Sequence, residues 1–263
     1  MERRSVTRLL FRRPLIHRRS GRSRTITARL RNSRLAAFIL CVGAALTVAT
    51  PPAAAATNPC QALSDGQSRY QAGTAQTILF AIAADYGTAV VDVVACVKRG
   101  TAWQRILVTA GHIGRNGFAE PNAKREGDGK SPTGSYPLTE AFGVANPGTE
   151  LPYRTLRNDG ACWGSTSGDH RYNTYYSGTC LPADENLSEL MHAGPYEQVA
   201  VIDYNRPPHS PIVHGNGSAI FLHAGSGPTA GCVALARPDL ETVIKTLRPH
   251  DRIIMGPKRV LFR

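Results

Sequence analysis

Short runs of β-branched and apolar residues, each ended by a turn-forming residue, dominate the chain from Gln76 onward. The clearest are TILFAIA, AVVDVVACVKR, RILV, QVAVIDYN, SAIFLH and RIIM. Such runs, bounded by Gly, Pro, Asn or Asp, are typical of β-strands. The segment from Pro238 to Leu247 is the best candidate for a helix, because its apolar residues have helical spacing and Pro249 follows its end. The pattern predicts a mainly β fold, a sandwich or barrel, with a few short helices.

The first 56 residues differ in composition from the rest. Twelve arginines precede residue 35, and Glu2 is the only acid before residue 57. An apolar run from Leu35 to Val48 and small residues at Ala54 to Ala56 complete the pattern of an export signal, cleaved or retained as an anchor. The run is shorter than the about 20 residues of a membrane span, so we expect membrane contact only if this leader is retained.

The net charge of +12 is a property of this leader. Residues 57–263 carry 19 Lys and Arg against 18 Asp and Glu, so this part of the chain is nearly neutral. A neutral body argues against a nucleic-acid-binding surface. The later histidines are scattered and lack the HExxH spacing, so the sequence predicts no metal site and no cofactor.

Five cysteines follow the leader, and export would place them in an oxidising compartment. Cys162 and Cys180 bracket a segment rich in Ser, Gly, Asn and Tyr, which a local bridge would hold. Four cysteines can pair with one another in more than one way. We favour Cys162–Cys180 with Cys60–Cys96, mainly because Cys232 then stays free. An unpaired thiol in such a compartment points toward a functional role.

The segment SAIFLHAGSGPTAGCVALAR, residues 218–237, holds the candidate chemistry. Its apolar parts predict two strands joined by a turn, which brings His223 and Cys232 to adjoining strand ends. A thiolate is the nucleophilic form of cysteine, and a nearby imidazole accepts its proton, so the pair favours covalent acyl transfer. A buried thiol beside a packed core histidine is the alternative. His214, in the turn before the first strand, is the competing base.

This segment, with KREGDGKSPTGSYPL upstream, resembles the L,D-transpeptidase (YkuD-like) catalytic domain in its small exported actinobacterial form. By position, the resemblance implies that Cys232 is the nucleophile and His223 the general base and acid. It also implies a backbone N–H of Gly231 for the oxyanion and a supporting hydroxyl on Thr229. The domain organisation that follows is an export signal at 1–56, a linker or N-terminal extension at 57–75, and the catalytic domain at 76–263.

Two positions depart from the family pattern. This chain has Thr229-Ala230-Gly231-Cys232 where Ser/Thr-His-Gly-Cys is common, and Ala224 stands where Ser often follows the base. Both departures concern supporting groups, so the predicted nucleophile and base are unchanged.

The implied reaction starts from a peptidoglycan tetrapeptide donor, which the resemblance predicts to bind outside the cell or in the periplasmic space. Attack by the thiol gives a thioester and releases D-Ala, and a stem-peptide acceptor then forms a 3,3 crosslink. Transfer to water gives L,D-carboxypeptidase activity instead. Lys124 and Arg125, with Lys130 on the same loop, are the predicted contacts for substrate carboxylates.

Two other functions stay open. A sortase-like cysteine transpeptidase also uses His, Cys and Arg on a β-barrel, and Arg237 follows Cys232 closely, although the short His-to-Cys spacing disfavours it. A non-catalytic, disulfide-braced wall-binding module would leave Cys232 inert.

Overall fold

The computed structural model of the protein describes residues 58–157 and 159–263. The strands within this range are β1 (Thr77–Ala83), β2 (Val90–Arg99), β3 (Ala102–His112), β4 (Gly134–Gly143), β5 (Tyr153–Thr155), β6 (Ala161–Trp163), β7 (Tyr175–Ser177), β8 (Glu185–Asn186), β9 (Gln198–Ile202), β10 (Phe221–Ala224), β11 (Val233–Leu235) and β12 (Arg252–Pro257). The helices are α1 (Pro59–Ser64), α2 (Leu187–His192), α3 (Arg237–Thr246) and α4 (Lys258–Leu261).

Nine strands form one sheet in the order β12-β1-β2-β3-β11-β10-β9-β4-β5. Strand β12 also pairs with β4, so the first eight strands of this order close into a barrel. Strand β12 runs parallel to β1 on one side and antiparallel to β4 on the other. The predicted mainly β architecture, with few short helices, is confirmed.

The observed elements follow the predicted runs closely. TILFAIA is β1, QVAVI is β9, and the predicted helix corresponds to α3. Strand β3 is longer than RILV because it pairs with β2 along its whole length while its outer face remains exposed. The polar stretch from Gly114 is a loop up to β4, as its Gly, Pro and charge content predicts.

A second sheet, with strand order β7-β6-β8, lies between β5 and β9 in the chain. It covers the outer face of the barrel, where Trp163 of β6 packs edge-on against Phe221 of β10 at 5.0 Å between ring centroids. Phe142, Tyr196 and Cys232 belong to the same buried cluster. The barrel interior forms a separate core. Cys232 therefore lies between the barrel and this second sheet.

The segment before β1 packs on the barrel. Helix α1 is tied to β2 by the Cys60–Cys96 disulfide, and Cys60 is buried. The Cys162–Cys180 disulfide is also present and braces the second sheet. Cys232 is the free cysteine of the described residues, while Cys41 and the predicted export signal lie outside them. Within 58–157 and 159–263, no helix is long and apolar enough to cross a membrane.

Candidate active site

Strands β10 and β11 place His223 and Cys232 on one face of the sheet. The two strands are parallel, with Leu222 paired to Val233, and both of these side chains enter the barrel interior. Side chains alternate between the faces of a strand, so the neighbours of Leu222 and Val233 point outward. Phe221 and Cys232 accordingly join the outer cluster. The register of β10 and β11 therefore puts His223 and Cys232 on the same face of the sheet.

The Cys232 thiol is buried, with 7% of the residue exposed. Its Sγ donates to the Ala219 carbonyl at 3.2 Å and accepts from the Phe221 N–H at 3.4 Å. Tyr196 belongs to the same buried cluster as Cys232, and its hydroxyl favours a negative charge on the sulfur. Within the described residues, Sγ forms no hydrogen bond with the His223 ring.

Burial raises the pKa of the Cys232 thiol to about 12. The carboxylate of Glu185 adds to this increase, because it disfavours a second negative charge nearby. The Phe221 N–H, the Tyr196 hydroxyl and the positive charge of Lys124 act in the opposite direction, because each favours a negative charge on the sulfur. At neutral pH the resting thiol is therefore protonated and needs a base to become nucleophilic.

His223 has the properties of that base. Its Nδ1 lies 2.8 Å from the Ala224 carbonyl oxygen, which can only accept, so Nδ1 carries the proton. Nε2 is then the free acceptor. Burial lowers the pKa of His223, which keeps the imidazole neutral. Because Ala224 contributes its main chain, replacing the more common Ser by Ala leaves this contact intact.

Thr229 braces the turn that precedes Cys232. Its Oγ1 donates to the Cys232 carbonyl at 2.7 Å and accepts from the Gly231 N–H at 3.1 Å. The Gly231 carbonyl in turn accepts from the Ser131 hydroxyl at 2.6 Å. The N–H of Gly231, predicted to bind the oxyanion, is thus already engaged in the resting state. Ala230, which replaces the common histidine, has an exposed side chain.

A cavity of about 130 Å³ adjoins Cys232. Four charged side chains line it: Arg115, Lys124, Glu126 and Glu185. Arg115, Glu126 and Glu185 were not predicted as site residues from the sequence. A larger cavity, about 770 Å³, lies among Tyr70, Tyr136 and Arg252 and includes neither member of the predicted pair.

Only one of the two cations predicted to bind substrate lines this cavity. Lys124 is buried, and its Nζ lies 2.8 Å from Asp128 Oδ1 and 2.6 Å from the Arg125 carbonyl oxygen. Arg125 is exposed and turns its guanidinium to the Asn122 and Lys124 carbonyls. Arg115 occupies the cavity wall instead, so it is the better candidate for a substrate carboxylate.

Tyr196 and Glu185 are further site residues that the sequence did not indicate. Tyr196 lies between α2 and β9, and its hydroxyl donates to Glu185 Oε2 at 3.2 Å. Its ring meets that of His223 edge-on, with 5.3 Å between centroids. Burial raises the pKa of Glu185 as well. Both residues reach Cys232 through tertiary packing, so no local sequence pattern marks them.

The competing residues lie elsewhere. His214 is exposed, stacks on Tyr172 at 4.7 Å and accepts from the Gly168 N–H at 2.9 Å. Arg237, the candidate arginine of a sortase-like site, forms an ion pair with Glu197 and does not line the Cys232 cavity. In the described part of the chain, no three His, Cys, Asp or Glu side chains are grouped so that they could hold a metal ion.

The family model of the YkuD L,D-transpeptidase catalytic domain matches residues 87–255, more than half of the chain. The chain belongs to this family. The resemblance to the YkuD-like catalytic domain seen in the sequence is confirmed.

The other comparisons add little to this assignment. No curated protein matches the chain. One similar solved structure is that of Bdellovibrio bacteriovorus Bd1075, with 15% identity and a TM-score of 0.33. The match covers 72% of this chain and 50% of that one, so this chain spans about half the length of that protein.

Proposed function

We propose that this L,D-transpeptidase acts outside the cytoplasmic membrane on peptidoglycan tetrapeptides through a Cys232 thioester. The observation that carries the proposal is the free Cys232 thiol on the same sheet face as a neutral His223 whose Nδ1 is fixed by a main-chain carbonyl. A protonated thiol beside a neutral imidazole is the starting state for base-assisted nucleophilic attack.

Acylation begins when the thiol turns from the Ala219 carbonyl and gives its proton to Nε2 of His223. The thiolate attacks the carbonyl carbon at the L-centre of the diamino acid, and the C–S bond forms. The negative oxygen of this intermediate is stabilised by backbone N–H groups of the turn before β11, once Gly231 exchanges its Thr229 contact for the oxyanion. The C–N bond then breaks, and His223 returns its proton to the departing D-Ala amine.

Deacylation reverses these roles. The amine of a second stem peptide attacks the thioester carbonyl, His223 removes the excess proton, and Cys232 leaves as a thiolate that is reprotonated. The product is a 3,3 crosslink. Water in place of the amine gives L,D-carboxypeptidase activity. Lys124 and Arg115 supply positive charge beside the nucleophile for the carboxylates of these peptides.

The proposed location rests on the disulfides and on the arginine-rich leader. Two bridges of the kind that persist in oxidising compartments are present. The leader, residues 1–56, has the composition of an export signal.

The experiment incubates the full chain with a purified disaccharide tetrapeptide and follows D-Ala release and dimer formation by mass spectrometry. Cys232→Ser and His223→Ala should abolish both products, whereas His214→Ala, an exposed histidine, should match wild type. Turnover by Cys232→Ser would refute the thioester mechanism. Activity in His223→Ala with loss in His214→Ala would overturn only the base assignment.

A separate measurement addresses the non-catalytic wall-binding module. Binding of the chain to purified peptidoglycan, without D-Ala release or covalent labelling of Cys232, is the result expected of such a module. It would contradict the enzyme assignment for this chain.

A further inference from the structure

We propose that Tyr196 is a catalytic residue whose hydroxyl stabilises the Cys232 thiolate, and that Glu185 competes with the thiolate for that hydroxyl. The inference rests on the proposed function only in taking Cys232 as the nucleophile.

The ring of Tyr196 is held rigidly. The residue is 4% exposed, and its ring packs edge-on against three others: Phe142 at 6.1 Å, Phe221 at 5.7 Å and His223 at 5.3 Å between centroids. A ring fixed on several sides has little freedom to rotate its hydroxyl away. The packed neighbours therefore limit where the hydroxyl can move.

The hydroxyl has one proton and two negative or partly negative neighbours. It donates to Glu185 Oε2 at 3.2 Å, which is long compared with the about 2.7–2.8 Å typical of O–H···O hydrogen bonds. The second neighbour is Cys232, which belongs to the same buried cluster as Tyr196 and interacts electrostatically with its hydroxyl. A long bond to Glu185 is weak, so the proton is available when the sulfur becomes negative.

The charges around the sulfur come from several elements. Glu185 of β8 opposes thiolate formation, and Glu126 of the loop before β4 lines the same cavity. Lys124 of that loop favours the thiolate, and Arg115 also lines the cavity. His223 of β10 is neutral. Tyr196 is the neutral donor in this group, since burial and the nearby Cys232 and Glu185 raise its pKa well above the ordinary value.

This arrangement gives Tyr196 a part in the reaction cycle. When the thiol proton passes to His223, the phenolic hydrogen bond shifts from Glu185 to the sulfur and shares its negative charge. After the thioester forms, the sulfur is neutral and the hydroxyl returns to Glu185. No bond of Tyr196 breaks, so its role is to stabilise charge.

The test measures the reactivity of Cys232 in the full chain with iodoacetamide between pH 6 and pH 9, quantifying the Cys232 peptide by mass spectrometry. Tyr196→Phe keeps the packed ring and removes the hydroxyl. Loss of one hydrogen bond to a charged group decreases the thiolate fraction about 12-fold or more, and the more basic thiolate recovers about half of this on a logarithmic scale. Alkylation should therefore slow by about three- to tenfold.

Glu185→Gln provides a change of opposite sign. It removes the carboxylate charge that disfavours the thiolate and keeps an acceptor for Tyr196, so alkylation should become faster, by about twofold or more. Tyr136→Phe is the matched control, because Tyr136 is also buried but donates to the Thr133 carbonyl at 2.8 Å, away from the sulfur. Cys232 should be alkylated in Tyr136→Phe at the same rate as in the wild type.

The inference is overturned if Tyr196→Phe alkylates at the rate of Tyr136→Phe, or if Glu185→Gln slows the reaction. Near-ultraviolet circular dichroism verifies that each variant retains packed aromatic rings. If Tyr196→Phe does not fold, Glu185→Gln, which keeps the Tyr196 side chain, tests the inference by its own expected increase in rate. The proposed function can fail independently of this inference. If the wild-type chain releases no D-Ala but the alkylation rates of the wild type and the variants follow the expected order, the role of Tyr196 stands and the substrate assignment is wrong.

Discussion

The two disulfides offer a comparison that separates stability from active-site geometry. Cys162–Cys180 closes a sequence separation of 18 residues, and Cys60–Cys96 one of 36. Loop-closure entropy assigns them about 3.2 and about 3.8 kcal/mol of stability, respectively. Replacing either pair by alanine should therefore reduce the free energy of unfolding similarly. For a folded part of this size, the expected decrease in Tm is roughly 6–16 °C in both variants.

Their effects on activity should differ. The Cys162–Cys180 bridge holds β6, whose Trp163 is paired in register with Glu185, and the neighbouring Ser165 lines the cavity beside Cys232. The Cys60–Cys96 bridge joins α1 to β2 in a buried cluster, none of whose residues lines the cavity beside Cys232. We expect Cys162→Ala/Cys180→Ala to lose about tenfold or more in kcat/KM, in keeping with the effect of about 1 Å misplacements. Cys60→Ala/Cys96→Ala should stay near wild type.

The assay is D-Ala release from the tetrapeptide at 25 °C, together with thermal unfolding followed by circular dichroism. Activities are compared only where both variants are folded. Equal activity losses in the two variants at that temperature would show that the second sheet has no specific part in shaping the site. Wild-type kcat/KM in Cys162→Ala/Cys180→Ala would have the same meaning.

Three further changes test the site. Thr229→Val removes the hydroxyl that bridges Gly231 and Cys232. It should reduce the free energy of unfolding in urea by about 1–2 kcal/mol and slow D-Ala release. Thr242→Val on α3 is the control and should have smaller effects on both. Gly231→Ala should reduce activity because its Cβ would lie 3.1 Å from the Lys130 carbonyl oxygen, while Gly227→Ala, with open space around it, should retain activity in the same assay. Because burial lowers the pKa of His223 below that of the unfolded chain, the unfolded state binds more protons as the pH falls below about 6.5. Urea unfolding should accordingly show stability decreasing below that pH, and His223→Gln should weaken this dependence; an unchanged dependence would refute the assignment.

The sequence revealed the longer barrel strands because each is long enough to show its pattern, and it revealed the short β10 and β11 through their buried apolar residues. β1 is a continuous apolar run that matches the predicted bounds. The second sheet escaped prediction because β6, β7 and β8 contain only two or three residues each. Their positions depend on the disulfide and on Asp184, whose Oδ1 accepts from the N–H groups of Ser165 and Thr166 at 2.8 and 2.9 Å.

The site divides in the same way. His223 and Cys232 are nine residues apart, with a turn between two strands, so local sequence was enough to pair them. Glu185 comes from β8 of the second sheet, and Tyr196 comes from the segment before β9. Their approach to Cys232 depends on how the second sheet packs on the barrel. Lys124 and Arg125, the predicted substrate cations, are adjacent in the sequence. Only the structure shows that Lys124 is buried beside the cavity while Arg125 is exposed.

Closure of the barrel by β12 also has a consequence for the order of folding. The N–H of Thr77 donates to Asp251 across a sequence separation of 174 residues, and β12 follows directly to pair with both β1 and β4. A chain that stops at Asp251 leaves two unpaired strand edges, which invite pairing with other chains. Synthesis of the chain through β12 must therefore precede closure of the barrel. The order of the strands makes this closure depend on the last strand of the sheet to be made.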